Sequence, residues 1–244
     1  MREGGCDVWI ASIPEFAGHS AALARVLVPA ERDYVERSRG RQVLDTLSRG
    51  LLRLLLARYL EVAPDRIEID RTCPTCGAPH SKPRLRAADD AGSAPLHFSV
   101  AHGGDLLVIA VAADGPIGVD VEPRTPRQDL SGELLELTLT PTERLRVEQA
   151  PPGERWEVFL HYWTGKEAVL KALGTGLDLD PNAVTLPSLL SWAATPVTSP
   201  SAPPVSLWLS SLCVDQAYVC TLAVGREGID PRLTRLPPEV LFAA

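Results

Sequence analysis

The chain has 244 residues, 45% of them apolar, enough to fill one large core or two small ones. Its 24 basic and 31 acidic residues leave a net charge of −7, which gives no global pull towards nucleic acid or an anionic membrane, so any phosphate binding has to be local. No run approaches the ~18 apolar residues of a membrane span, and "MREGGCDVW" lacks a basic segment followed by an apolar one, so the expectation is a cytoplasmic protein.

In chain order, "CDVWIASI" at 6–13 alternates as a strand does, and residues 31–60 form a long helical region ending in "LLRLLLARYL". Strand-like runs follow at "RIEI" (67), "LHFSV" (96) and "LLVIAVAA" (106), the last two separated by a Gly-Gly turn; "PIGVDVEP" is a short strand closed by prolines. A helix is expected from about 154 to 173, then a strand near "AVTL" at 183 and a late pair, "VSLWLSSLC" and "YVCTLAV". The Pro/Ser-rich stretch 187–204 reads as a loop, and the last 18 or so residues as a loosely held tail. The fold class is α+β.

Shifting the first helix by 117 residues matches Leu52 with Val169, Leu56 with Leu173, Leu60 with Leu177 and Pro64 with Pro181, and sets Ile67 and Ile69 against Val184 and Leu186. Two similar helix-plus-antiparallel-sheet halves would explain this echo, as would chance alignment of apolar positions. The expected boundaries are 1–115, 116–230 and a tail at 231–244.

In the helix at 154–173, Trp156, Phe159, Leu160, Trp163 and Leu170 share one stripe, and Glu167 lies in its middle. Thr164 and Glu167 have capping-box spacing, which would start a helix at Gly165; the apolar period running back to Trp156 argues against that. Lys171, four residues on, suits either a local ion pair with Glu167 or a shared ligand. In "PIGVDVEP", Ile117, Val119 and Val121 face a core while Asp120 and Glu122 stand about 7 Å apart on the other side. Solvent explains such a pair, and so does a cation. With an inward Glu167, three carboxylates would make a hard oxygen site suited to magnesium.

His102 lies just past a strand end beside turn glycines that allow close backbone approach to an anion. Lys82, Arg84 and Arg86 lie on an extended segment, and Arg41 and Arg49 along the first helical region; each is also an ordinary surface cation. "CPTCGAPH" gives Cys73 and Cys76 zinc-like spacing with His80 behind them, but no second pair follows, so it is half a zinc site or a tight loop. Five cysteines are too few and too scattered for a disulfide framework. Cys213 and Cys220 are expected in core strands, and no Gly-x-Ser-x-Gly elbow suggests a serine triad.

"GVDVEP", followed some 40 residues later by "WTGKEAVLKALGTGL", resembles the paired signatures of the Sfp-type 4'-phosphopantetheinyl transferases. "HFSVAHGG" and "SKPRL" are similar to two further segments of that family, so the likeness spans roughly residues 40–186. The resemblance implies two similar α+β halves forming an intramolecular pseudo-dimer. It also implies transfer of the phosphopantetheine arm of coenzyme A to a serine of an acyl or peptidyl carrier protein, releasing 3',5'-ADP. Asp120, Glu122 and Glu167 would match the magnesium site, with manganese as an alternative ion. Lys171, His102, Lys82, Arg41 and Arg49 would match contacts to coenzyme A, and Glu143 an acid proposed as general base; Glu143, Glu167 and Lys171 form the expected catalytic set. Ala101 replaces a serine common in the family, which would lose one hydroxyl contact to coenzyme A or move it to Ser99. Gly103 and Gly165 carry no expectation. Implied partners are carrier domains of polyketide, nonribosomal peptide or fatty acid synthases, met by a monomer with no nucleic acid or membrane partner. A homologue that binds carrier or nucleotide without catalysis is the other reading; a metal-dependent nuclease is disfavoured by the acidic balance.

Overall fold

A computed structural model describes residues 5–73, 76–78, 81–86, 96–125, 130–175, 179–186, 193–199 and 202–239, with backbone alone for 193–199 and 202–205. Strand β1 (Cys6–Ser12) is followed by helices α1 (Ile13–Ala17), α2 (Ser20–Arg25), α3 (Pro29–Arg37) and α4 (Gln42–Leu60). After a 3-10 turn at Pro64–Arg66 come β2 (Ile69–Asp70), β3 (Arg84–Leu85), β4 (His97–Gly103), β5 (Leu106–Ala112) and β6 (Ile117–Pro123). Helices α5 (Gly132–Thr138), α6 (Pro141–Gln149) and α7 (Arg155–Leu173) lead to a 3-10 turn at Pro181–Ala183 and strands β7 (Ala193–Ser199), β8 (Ala202–Ser211), β9 (Tyr218–Val224) and β10 (Pro231–Arg235).

Two four-stranded sheets result, in the orders β10-β1-β5-β4 and β6-β9-β8-β7, with β2 and β3 as a separate small pair. Strand alternation sorts their faces. Val8, Ile10, Val108 and Ala110 of the first sheet meet Ile117, Val119, Val121, Cys220 and Leu222 of the second in one buried core. Leu107, Ile109 and Val111 point the other way, onto Leu47, Leu51, Leu52, Leu55 and Leu56 of α4. Ala223 of β9 faces a core that includes Phe159, Tyr162, Ala168 and Val169 of α7. The layers therefore run helix, sheet, sheet, helix, an α+β arrangement.

Several expectations change. The helical region 31–60 is broken at 38–41, where Ser38 caps α3 and Arg41 precedes α4. Residues 184–186 form no strand: Val184 and Leu186 follow the 3-10 turn and are buried against α7. The supposed loop at 187–204 contains β7 and the start of β8, paired antiparallel. The supposed tail holds β10, which pairs parallel to β1 with Val8 opposite Leu233. Cys213 lies beyond the end of β8 and is exposed, whereas Cys220 is buried.

Candidate active site

Odd-numbered residues of β6 face the other sheet, so Gly118, Asp120 and Glu122 face α7. Gly118 is decisive here, because a Cβ at that position would lie 1.9 Å from the Ala168 carbonyl oxygen and 2.5 Å from the Ala172 nitrogen. The bare glycine lets the helix lie directly on the strand. Gly103 does the same between β4 and β6, where a Cβ would meet Val121 O at 2.2 Å, and Gly165 abuts Leu186. Both glycines thus carry a packing meaning that the sequence did not disclose.

Along that seam Lys171 Nζ donates to Asp120 Oδ1 at 2.6 Å. Asp120 is 6% exposed, and its Oδ2 is buried with no hydrogen-bond partner. Glu167 projects beside them. Burial, reinforced by the charges of Asp120 and Glu122 and opposed by Lys171, raises its carboxyl above the usual range. Three acids thus share one electrostatic neighbourhood. Among the described residues, however, no group of three or more His, Cys, Asp or Glu side chains stands assembled to hold an ion.

The helix is buried over more of its circumference than a single stripe. Tyr162, Thr164, Gly165, Lys166, Ala168 and Val169 are all buried, while Trp163, Glu167 and Lys171 lie on the half-open side. Glu167 is therefore at a rim rather than the centre of a core face. The capping-box reading of Thr164 falls as well: α7 starts nine residues earlier, and Thr164 Oγ1 donates to Leu160 O at 2.9 Å and lies 2.9 Å from Thr221 Oγ1.

At the end of β4, Arg41 Nη2 lies 2.8 Å from His102 Nε2. A guanidinium cannot accept, so Nε2 must be the acceptor and the ring carries its proton on Nδ1. Burial and the charges of Arg41 and Lys171 push the His102 pKa down, keeping it neutral. Lys171 acts electrostatically on both His102 and Glu167, which ties the cationic group to the acidic one. Lys82 Nζ donates to Ile117 O at 2.7 Å, at the start of β6, and burial with neighbouring Arg84 lowers its pKa to about 8. Both side chains stand against Gly174, whose φ of 74° ends α7.

Two expected residues are engaged within the protein. Arg49 is buried with its guanidinium 4.0 Å from the centroid of the Tyr34 ring, a stacking contact two turns along α4 from Arg41. Arg71, which the sequence did not single out, stands close enough for the Arg49 charge to help burial push its pKa down to about 10. Glu143 is 0% exposed and forms a capping box at the start of α6: Thr140 N–H donates to Oε2 at 2.8 Å. Leu186 N–H donates to Oε1 at 2.8 Å, and Lys166 Nζ pairs with Oε2 at 2.7 Å. A general base needs a lone pair within reach of the proton it takes; Glu143 is sealed from solvent and accepts from three donors, which argues against the base role expected of it. Ser99 is likewise committed, its hydroxyl accepting from Val119 N–H at 3.1 Å in the joint between β4 and β6. In the Cys73–Cys76 loop, Cys73 is buried and Cys76 exposed, with no disulfide; His80 lies outside the described residues.

The family model for the 4'-phosphopantetheinyl transferase superfamily matches residues 116–223, the stretch from β6 through α7 to β9. The 4'-phosphopantetheinyl transferase HetI of Nostoc sp. is 30% identical over 208 residues, covering 84% of this chain and 79% of that protein. The chain belongs to the 4'-phosphopantetheinyl transferase superfamily. Shorter matches agree with this membership. The 4'-phosphopantetheinyl transferase AcpT of Salmonella typhimurium is 28% identical over 57% of this chain and 65% of its own length. The 4'-phosphopantetheinyl transferase of Bacillus subtilis is 31% identical over 41% of each chain.

Proposed function

We propose that this protein transfers the 4'-phosphopantetheine arm of coenzyme A to a serine of an acyl or peptidyl carrier domain, yielding holo-carrier and 3',5'-ADP. The observation that carries the reading is the meeting of Asp120, Glu122 and Glu167 with Lys171, His102 and Arg41 along one rim, on a chain whose family performs this chemistry.

The donor set fits magnesium. Asp120 Oδ2 is buried and unpartnered, Glu167 is crowded by two acids, and this ion usually takes only one or two carboxylates beside phosphate and water. Asp120 and Glu167 would hold it, with Glu122 beside them, and manganese would substitute. The bound ion would neutralise charge on the pyrophosphate oxygens of coenzyme A.

The chain's own groups handle the remainder. Lys171 bridges from Asp120 towards the phosphates as a fixed point charge. Neutral His102, its Nε2 occupied by Arg41, presents Nδ1–H as a donor to a phosphate oxygen, and Arg41 adds charge at the same place. When the carrier serine attacks the β-phosphorus, the bond from that phosphorus to the bridging oxygen breaks and the serine proton passes to a nearby carboxylate or to water; Lys171 and His102 offset the negative charge growing on the oxygen that leaves with 3',5'-ADP. Lys82, held at the end of α7, contacts the nucleotide end, and Arg49 supports that side from beneath Tyr34.

We read the two sheet-and-helix units as a pseudo-dimer within one chain, divided near 115/116. The 3-10 turns at Pro64–Arg66 and Pro181–Ala183 support this, since they fall at the 117-residue offset. Such a chain would act as a monomer on carrier domains of polyketide, nonribosomal peptide or fatty acid synthases. No described helix is long and apolar enough to cross a membrane, in keeping with a cytoplasmic setting. The test is direct: with magnesium and coenzyme A, the purified protein should add about 340 Da to a carrier serine, and Glu167→Gln should nearly abolish the addition. No mass gain on any of several unrelated carriers would refute the assignment.

A further inference from the structure

Lys166 is as deeply buried as the acid it meets, at 0% exposure. Its Nζ donates to Val184 O at 2.6 Å and to Pro181 O at 2.9 Å, and pairs with Glu143 Oε2 at 2.7 Å. The three donor positions of an ammonium are thereby filled. Glu143 reaches back to Thr140 N–H at the start of α6 and across to Leu186 N–H. One ion pair consequently joins α6, α7 and the segment 181–186, and, wholly buried, it presents no atom to a substrate.

Residue 167 follows directly. Adjacent helical side chains diverge by about 100°, so fixing Lys166 between α6 and the 3-10 turn fixes the direction in which Glu167 leaves the helix. A carboxylate about 6 Å from the helix axis moves about 1 Å when the helix rolls by about 10°, which is the scale on which reacting groups lose effectiveness. Close packing resists translation at Gly118 and Gly165, where α7 has no room on either side. Packing of this kind does little to stop a roll; an ion pair anchored to two carbonyls and two amides does.

We infer that Glu143 and Lys166 form a positioning brace that sets the roll of α7, holding Glu167 and Lys171 in register with Asp120, and that Glu143 takes no part in proton transfer. The inference rests on the magnesium reading of Asp120 and Glu167.

The test replaces both partners, Glu143→Gln with Lys166→Met, because removing one would leave the other charged and buried. Magnesium chloride is titrated into wild type and double variant, followed by calorimetry and by the shift in melting temperature. Turnover is measured against magnesium concentration and pH. A brace predicts magnesium affinity weakened about tenfold or more, as for other groups that orient a metal ligand. It also predicts turnover that largely recovers at high magnesium and a pH–rate profile of unaltered shape. A loss of about 100-fold or more that magnesium does not relieve, with one limb of the pH profile removed, is the signature of a missing base and would overturn the inference. Equal magnesium affinity in a folded double variant would overturn it too. Wild type that binds no magnesium would instead refute the metal reading, and the brace with it.

Discussion

Replacing Gly118 by alanine probes how closely the strand and helix must approach. The added methyl carbon would sit 1.9 Å from Ala168 O and 2.5 Å from Ala172 N, both backbone atoms that no rotamer change can move. An ordinary carbon–oxygen contact is about 3.3 Å, so α7 has to retreat by about 1.4 Å. That retreat would stretch the Lys171–Asp120 pair from 2.6 Å to about 4 Å, beyond hydrogen-bonding range. Overpacking of this kind costs about 3 kcal/mol, which lowers the melting temperature by about 8 °C in a chain of this size. The misplaced acid and lysine should cut turnover by about 100-fold. Calorimetry and a phosphopantetheine-transfer assay read the two effects, with Gly153→Ala as control, since nothing lies within 4 Å of a Cβ there. A Gly118→Ala protein with native melting temperature and native turnover would refute the claim that this glycine sets the geometry of the site.

Glu167→Gln should raise thermal stability while removing activity. The folded state lifts the Glu167 pKa, so folding binds protons there and stability falls as pH rises past the ordinary carboxylate value. The variant's advantage should be absent near pH 4 and present at pH 7–8; thermal melts across that range check the sign. Lys82, with a pKa of about 8, should lose its charge between pH 7 and 9, so KM for coenzyme A should rise severalfold over that interval. Lys82→Arg should flatten the dependence, an outcome read from initial rates. Tyr59 Oη donates to Asp7 Oδ2 and accepts from Trp9 Nε1, each at 2.6 Å. Tyr59→Phe should therefore cost about 2 kcal/mol, measurable by denaturant titration.

Much of this molecule was legible because its central elements are strongly patterned. β4, β5, β6 and α7 lie where alternation and helical periodicity put them, and Asp120 and Glu122 were correctly assigned to the face opposite Ile117, Val119 and Val121. What escaped has identifiable causes. None of the five β10 residues is buried, so the strand is held by backbone pairing that hydropathy cannot register. β7 lies at a sheet edge, where Pro196 is tolerated and where a Pro/Ser-rich stretch imitates a loop. Val184 and Leu186 alternate as in a strand, yet the same spacing serves a segment laid against α7. A capping box does occur at Thr140 and Glu143, where the run Thr140-Pro141-Thr142-Glu143 carries the standard signal. Nothing local in either motif says that β6 and α7 meet; an inward Glu167 and the paired acids of β6 suggest one shared site, and the resemblance strengthens that suggestion.

The parallel pairing of β10 with β1 has a consequence for synthesis. β1 finds β5 once residue 112 exists, but its other edge has no partner until residues 231–235 emerge. At about 5 to 20 residues per second, that interval lasts about 6 to 24 s, during which the nascent first sheet carries an open strand edge. Asp7 meanwhile lacks the Arg232 guanidinium that later sits 2.9 Å away. A ribosome-bound chain stalled before residue 231 should therefore be the form most prone to misassociate, and the arrival of residues 231–235 the step that closes the edge.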